Sequence, residues 1–180
     1  MKPIALCMTG LAAIGLAGCT TMNGEAPADV PVNASATADL ADASGRAMGH
    51  ATVTQETAGI RLKVEGISLP SGSHGVHVHM TGSCTPPDFA SAGGHWNPTG
   101  KQHGKDNPAG MHSGDLPNML IGTDGRGSME YLMPGSQLSG GQMPMLDGDG
   151  AAIVIHAGPD DYRTDPAGNS GGRIACGVFR

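Results

Sequence analysis

ATVTQETAGIRLKV, residues 51–64, alternates apolar and polar side chains on both sides of a single glycine. The two runs, residues 51–55 and 60–64, have a period of two, which is typical of strands with one buried face. Gly59 lies between them, where a turn needs a residue without conformational restriction. The stretch therefore predicts a β-hairpin, and with it a β-rich fold.

Similar patterns occur along the rest of the chain. Residues 75–80 alternate again, and the turn sequence DGRG (124–127) stands between two more alternating runs, 119–123 and 128–132, which predict a second hairpin. Short apolar runs follow at 151–156 and 174–179. No segment has a helical period. The pattern predicts an all-β, sandwich-like domain.

Composition supports this fold class and limits the function. The chain has 180 residues, which suits one domain, with 30 glycines, 13 prolines and only 3% aromatic residues. Such a composition favours short strands and many turns over a helical bundle. The formal net charge of −6 argues against nucleic acid as a partner. An anionic substrate would need a local positive group.

The N-terminus indicates export. Residues 1–18 carry a positive start and a short apolar run, which predict a signal peptide. The run ends in LAGC (16–19), which resembles a bacterial lipobox with Cys19 as the lipidated residue; an ordinary secretion signal is the alternative. Residues 19–35 are predicted to be a flexible tether and 36–180 the domain. No Asp directly follows Cys19, which favours a periplasmic lipoprotein of the outer membrane.

Four cysteines fit this interpretation. Cys7 would leave with the signal peptide and Cys19 would take lipid. Cys84 and Cys176 remain, 92 positions apart. An exported protein with one remaining pair most simply forms one disulfide. Two free buried thiols are the alternative.

Two long stretches, 81–117 and 157–172, lack any strand pattern. Loops of this length in a compact domain are usually functional or disordered. The first contains three histidines and Cys84, and the second ends just before Arg173. We therefore expect the functional residues to lie in these two loops.

The chemistry is indicated by the histidines. His77 and His79 are two positions apart on a predicted strand, so both face one side and can hold one metal ion, although chance surface histidines can show the same spacing. Three imidazoles and one carboxylate suit zinc, and the first loop supplies such a set: His95, His103, His112 and Asp115. His156 ends an apolar run and needs a polar partner if buried. Imidazole ligands favour zinc or copper over magnesium or calcium.

Five segments in order resemble the copper/zinc superoxide dismutase family. They are GVHVHMTGSC (75–84), AGGHWNP (92–98), KQHGKDNPAGMHSGDLPN (101–118), VIHAGPDD (154–161) and GGRIACGVF (171–179). The resemblance runs over most of residues 45–180. It implies a Greek-key β-sandwich or barrel of about eight antiparallel strands with two long functional loops.

The resemblance also implies one copper and one zinc ion per chain. The implied copper ligands are His77, His79, His95 and His156, and the implied zinc ligands are His95, His103, His112 and Asp115. His95 would bridge the two ions and, with Arg173, take part in catalysis.

Other roles are implied in the same way. Arg173 would attract and orient the anion, Asp160 would link zinc and copper ligands, and Cys84 would pair with Cys176. His74 would hold loop backbone, and His50 has no implied role. Without the resemblance, Arg173 would be expected to pair with a surface carboxylate and Asp160 to be solvated.

The implied activity is dismutation of superoxide to dioxygen and hydrogen peroxide by a redox-cycling copper bridged to a structural zinc, protecting the cell envelope. The implied partners are superoxide and, through the lipid, a membrane; a homodimer is left open. Two other classes are considered: a copper-binding or delivery protein without turnover, and a sandwich domain in which the metals are only structural.

Overall fold

The computed structural model describes residues 31–180. The predicted signal peptide, Cys19 and most of the predicted tether lie outside the described residues. Within the described part, no helix is long and apolar enough to cross a membrane.

The described residues form an antiparallel β-structure of nine strands. In chain order they are β1 Ser35–Ala41, β2 Ala47–Glu56, β3 Gly59–Gly66, β4 Gly72–His74, β5 Val76–His79, β6 Met119–Ile121, β7 Gly127–Pro134, β8 Ala152–His156 and β9 Arg173–Val178. Seven strands make one curled sheet in the order β5-β8-β9-β1-β2-β3-β7, and β4 pairs with β6. Helical structure in this region is limited to a 3₁₀ turn, Ala90–Ala92. The predicted all-β class is confirmed.

The hairpin predicted over residues 51–64 is confirmed as β2 and β3. The strands pair antiparallel, with Val53 opposite Leu62 and Glu56 opposite Gly59. Val53 and Leu62 are fully buried. Gly59 has φ of 147°, and a Cβ there would collide with the carbonyl oxygen of Met133 on the neighbouring strand. The turn therefore requires glycine.

The second predicted hairpin forms differently. Strands β6 and β7 do flank the DGRG turn, which is closed by a hydrogen bond from the Gly122 amide to the Arg126 carbonyl. However, β7 pairs along its whole length with β3, and β6 pairs with β4. The alternation predicts the two strands correctly, but it carries no information about which neighbour each strand will pair with.

The position of the long loops explains why β5 and β8, the strands that contain His77, His79 and His156, are buried on both faces. All four residues of β5 and all five of β8 are buried. One face of these strands packs into the main apolar core, through residues such as Val78 and Ile153. The opposite face of β8 is covered by Phe89 and Ala92 from the first loop. The first loop therefore covers the outer face of the sheet at β8.

A disulfide fixes this loop. Cys84, in the loop, is bonded to Cys176 on β9, with their Cα atoms 5.7 Å apart. The predicted pairing is confirmed. It holds the first loop against β9, which pairs with β8.

Candidate metal centre

Strand geometry brings His77, His79 and His156 together. His77 and His79 lie on the outward, loop-covered face of β5, and β8 runs antiparallel beside it, with Val76 opposite Ile155. His156 is the last residue of β8. His95, from the first loop, stacks on His77 with ring centroids 3.9 Å apart. Four imidazoles therefore meet between the sheet and the loops.

Each of these four rings has one nitrogen without a partner. The buried atoms His77 Nδ1, His79 Nε2, His95 Nε2 and His156 Nε2 make no hydrogen bond. Ligand atoms of the four residues all lie within 4.8 Å of one another. An unsatisfied buried polar atom costs about 1–3 kcal/mol. Four such atoms converging on one point fit a metal ion as their common partner.

The second nitrogen of three of these rings is held by the protein. The Nδ1–H of His79 donates to the Gly93 carbonyl at 2.9 Å, and that of His156 to the Gly171 carbonyl at 3.1 Å. His77 Nε2–H donates to Asp160 at 2.9 Å. Each hydrogen bond fixes the tautomer, so that the other nitrogen carries a lone pair directed at the common point. The donor set therefore fits copper.

A second group gathers around Asp115. Its Oδ1 lies 2.8 Å from His95 Nδ1, 3.0 Å from His103 Nδ1 and 3.2 Å from His112 Nδ1. Its Oδ2 accepts hydrogen bonds from the Gly104 and His112 amides. Three imidazole nitrogens and one carboxylate oxygen make the four-ligand set that zinc prefers. His95 presents one nitrogen to each group.

The fourth member of this set is His112 and not His77. His77 lies close enough to be grouped with His95, His103 and Asp115. Its Nδ1, however, belongs to the first group of unpartnered nitrogens, and its Nε2 is hydrogen-bonded to Asp160, so neither nitrogen faces Asp115. His112 Nδ1 lies 3.4 Å from His95 Nδ1 and faces the shared carboxylate.

Asp160 connects the two groups. Its Oδ2 accepts from His77 Nε2 and its Oδ1 from His103 Nε2, both at 2.9 Å. The residue is 3% exposed, so it is not a solvated loop acid. The Asn118 side chain holds its backbone by donating to the Asp160 carbonyl and accepting from the Asp160 amide. Asn118 lies in one of the family-like segments, but its role in holding Asp160 could not be predicted from the sequence.

Burial sets the protonation of the histidines whose unpartnered nitrogens converge, which we call the copper-type ligands: His77, His79, His95 and His156. Desolvation lowers the pKa of His77 to about 3, of His79 to about 2 and of His156 to about 4. These rings are therefore neutral at pH 7, with lone pairs free for a metal.

His103 behaves in the opposite way. Burial acts to lower its pKa, but hydrogen bonds to Asp115 and Asp160 outweigh burial and raise the pKa to about 9. Burial likewise acts to raise the pKa of Asp115, but the hydrogen bonds from His103 and the other histidines hold it well below its usual range. A metal ion binds the deprotonated ring, so zinc would compete with a proton at His103.

Arg173 lies beside the copper-type group. Its Nη1 donates to the Phe89 carbonyl at 2.6 Å and its Nη2 to the Gly93 carbonyl at 2.7 Å. Among residues 31–180 it makes no ion pair. Burial lowers its pKa, although Arg remains charged at neutral pH. With His79, His95 and His156 it lines an open cavity of about 530 Å³. It offers a positive group where an anion would enter.

The two remaining histidines lie apart from the metal ligand atoms. His74 is buried, with Nδ1 2.7 Å from the His156 carbonyl and Nε2 2.9 Å from the Pro70 carbonyl. His50 lies on the outside of the sheet, 3.0 Å from Asp39. Trp96 is buried in the main core, where its side chain packs.

Comparisons with known proteins agree with this geometry. Residues 47–179 match the family described as copper/zinc superoxide dismutase (SODC). The chain belongs to the copper/zinc superoxide dismutase family. As a member it is a superoxide dismutase, an oxidoreductase that uses copper and zinc.

Relatives in this superoxide dismutase family come from several bacteria. The chain is 44% identical over 145 residues to a Cu-Zn superoxide dismutase of Aquifex aeolicus, covering 79% of this chain and 86% of that protein. It is 43% identical over 149 residues to one of Caulobacter vibrioides, covering 81% and 86%. The crystal structure of a SOD-like protein from Bacillus subtilis matches with a TM-score of 0.75 at 42% identity, covering 79% of this chain and 96% of that chain.

The role of Asp160 in this superoxide dismutase can be tested directly. Asp160→Ala removes the acceptor of both His77 and His103. Loss of such a supporting carboxylate costs about 10–100-fold in metal affinity. We expect zinc to be released to a competing chelator at a correspondingly lower chelator concentration. Asp161→Ala is the matched control, because Asp161 is exposed and bonds only within its own loop. Equal zinc retention in the two variants would contradict the linking role.

Proposed function

We propose that this superoxide dismutase converts superoxide to dioxygen and hydrogen peroxide at a copper ion held by His77, His79, His95 and His156. A zinc ion would be held by His95, His103, His112 and Asp115, with His95 bridging the two. The observation that carries the proposal is the convergence of four unpartnered, buried imidazole nitrogens in a cavity that also contains Arg173.

The two metals would contribute different chemistry. Copper, when bound, supplies two accessible oxidation states and so accepts and returns one electron, whereas zinc is redox-inactive. The chain's own residues supply position and protons. His95 Nε2 would serve in turn as a ligand and, when it is free of the ion, as the atom that holds a proton for the substrate, while Nδ1 stays on the Asp115 side.

Arg173 would bring the anion to this cavity. The chain has a net charge of −6, so its overall field repels superoxide. A guanidinium held by the Phe89 and Gly93 carbonyls provides a fixed local attraction. Focusing of this kind raises association rates by about 10-fold or more, and superoxide dismutases are themselves an established example.

Metal analysis and activity together test the proposal. The purified chain should hold one copper and one zinc and consume superoxide catalytically. Stoichiometric copper without superoxide consumption would favour the copper-delivery alternative. Activity that persists after copper is removed would contradict the assigned site.

Replacing Arg173 tests the attraction separately. Arg173→Ala should lower the second-order rate constant for superoxide by about 10-fold or more and flatten its dependence on ionic strength. Arg126→Ala makes the same change in net charge on the exposed turn between β6 and β7 and should leave both nearly unchanged. An Arg173→Ala enzyme with the wild-type salt dependence would refute the steering role.

We further propose that the enzyme is an envelope lipoprotein, attached through Cys19 and facing the periplasm, where it protects the envelope from superoxide. The apolar run of residues 1–18 and the Cys84–Cys176 disulfide support this, since disulfides persist in oxidising compartments. Cys19→Ser should move the protein from the outer-membrane to the soluble periplasmic fraction. An unchanged distribution would argue against the lipid anchor.

A further inference from the structure

A thioether lies at the mouth of the cavity that contains the copper-type ligands. Met80 directly follows His79 at the end of β5 and is 49% exposed. It lines the same cavity of about 530 Å³ as His79, His95 and His156. Three of the four unpartnered nitrogens therefore belong to residues that share an open space with the Met80 side chain.

The Met80 side chain lies beside Gly93. A Cβ built on Gly93 would lie 3.1 Å from Met80 Cγ and 3.7 Å from Met80 Sδ, so the thioether packs beside this glycine. The carbonyl of the same glycine accepts from both His79 Nδ1 and Arg173 Nη2. The sulfur, a copper-type ligand and the anion-facing arginine are therefore arranged around one peptide unit.

Apart from the histidines, the other groups that line this cavity are poor ligands for a cation. Arg173 is positive and repels a cation that enters. The Asn97 amide is already used, since it donates to the Lys101 carbonyl and accepts from the Lys101 amide. No carboxylate lines the cavity among the described residues. Outside the histidines, Met80 Sδ is the available donor, and a thioether is a soft, neutral ligand that prefers Cu⁺ to Cu²⁺ or Zn²⁺.

We propose that Met80 is an entry ligand for cuprous copper, which binds Cu⁺ at the cavity mouth and passes it to the histidine nitrogens behind it. The step is a ligand exchange with no change of oxidation state. It rests on the proposed copper site, since the ion must have the four imidazoles as its destination.

The rate of copper uptake tests this role. Zinc-loaded, copper-free full chain is mixed without oxygen with Cu⁺ held by a chromogenic cuprous chelator, and the loss of colour follows the transfer. Met80→Leu, which keeps size and apolarity, should take up Cu⁺ several-fold more slowly than wild type and reach the same final copper content. Met143→Leu is the matched control, because Met143 is 51% exposed but does not line this cavity. It should load at the wild-type rate.

The same variants are then loaded with aqueous Cu²⁺. Met80→Leu should take up Cu²⁺ at the wild-type rate, because a thioether contributes little to binding that ion. Wild-type Cu⁺ uptake in Met80→Leu would overturn the proposal. Equal slowing with both ions would also overturn it, since that result indicates a change in cavity shape. A wild-type chain that bound no copper from either source would refute the copper site itself, and the entry role with it.

Discussion

His79→Gln is expected to reduce superoxide consumption to the rate of the copper-free chain. His79 Nε2 is one of the four buried nitrogens without a partner, and the residue is 1% exposed. Glutamine keeps a polar, uncharged side chain but cannot reproduce a rigid ring with one nitrogen on the Gly93 carbonyl and the other directed at the ion. The copper set falls from four imidazoles to three. Copper per chain, measured together with the rate, should fall as well.

Zinc content distinguishes this result from general damage. The zinc-type set contains no atom of His79, so the variant should retain zinc. His50→Gln is the control substitution, because His50 is exposed on the outside of the sheet beside Asp39. It should keep both metals and full activity. Full activity in His79→Gln would show that His79 is not a copper ligand.

Strand positions could be predicted better than strand partners. The alternation in β2 and β3 gave both the strands and their pairing, because a short turn joins them. β6 and β7 were predicted as strands but paired with β4 and β3. β1 was not predicted, although Ala36, Ala38 and Leu40 alternate with exposed residues. Alanine is a weak strand former, so the run has little β signal until its neighbours bury it.

The identity of the site residues could be predicted, but their detailed geometry could not. The segments that resemble the family predicted which histidines would be ligands. The ring nitrogen that each would present to a metal depends on distant carbonyls, such as that of Gly171. The same is true of Arg173, whose guanidinium is held by Phe89 and Gly93, 84 and 80 positions away. Sequence spacing does not encode such contacts. They arise only when the first loop closes over the sheet.

Removal of the disulfide is expected to give the largest loss of stability. Cys84 and Cys176 are separated by 92 positions, and a cross-link over a loop of this length contributes about 4–5 kcal/mol in the chain-entropy treatment. The metal-free Cys84→Ser/Cys176→Ser double variant should therefore unfold at a much lower denaturant concentration than the metal-free wild type. The thiol-reduced wild type should unfold at the same denaturant concentration as the double variant. Coincident curves for oxidised wild type and variant would contradict this.

The same change should also affect catalysis, even in a fully metallated enzyme. Phe89 and Gly93 lie in the loop that Cys84 ties to β9, and their carbonyls orient the Arg173 guanidinium. Without the cross-link the loop is held by the apolar contacts of Phe89 and Ala92 on β8 and by backbone hydrogen bonds between residues 92–96 and residues 78–81. Arg173 would then be less often in place, so the rate constant for superoxide should fall and lose part of its salt dependence while both metals remain bound. A metal-replete double variant with wild-type kinetics would show that the loop stays closed without its disulfide.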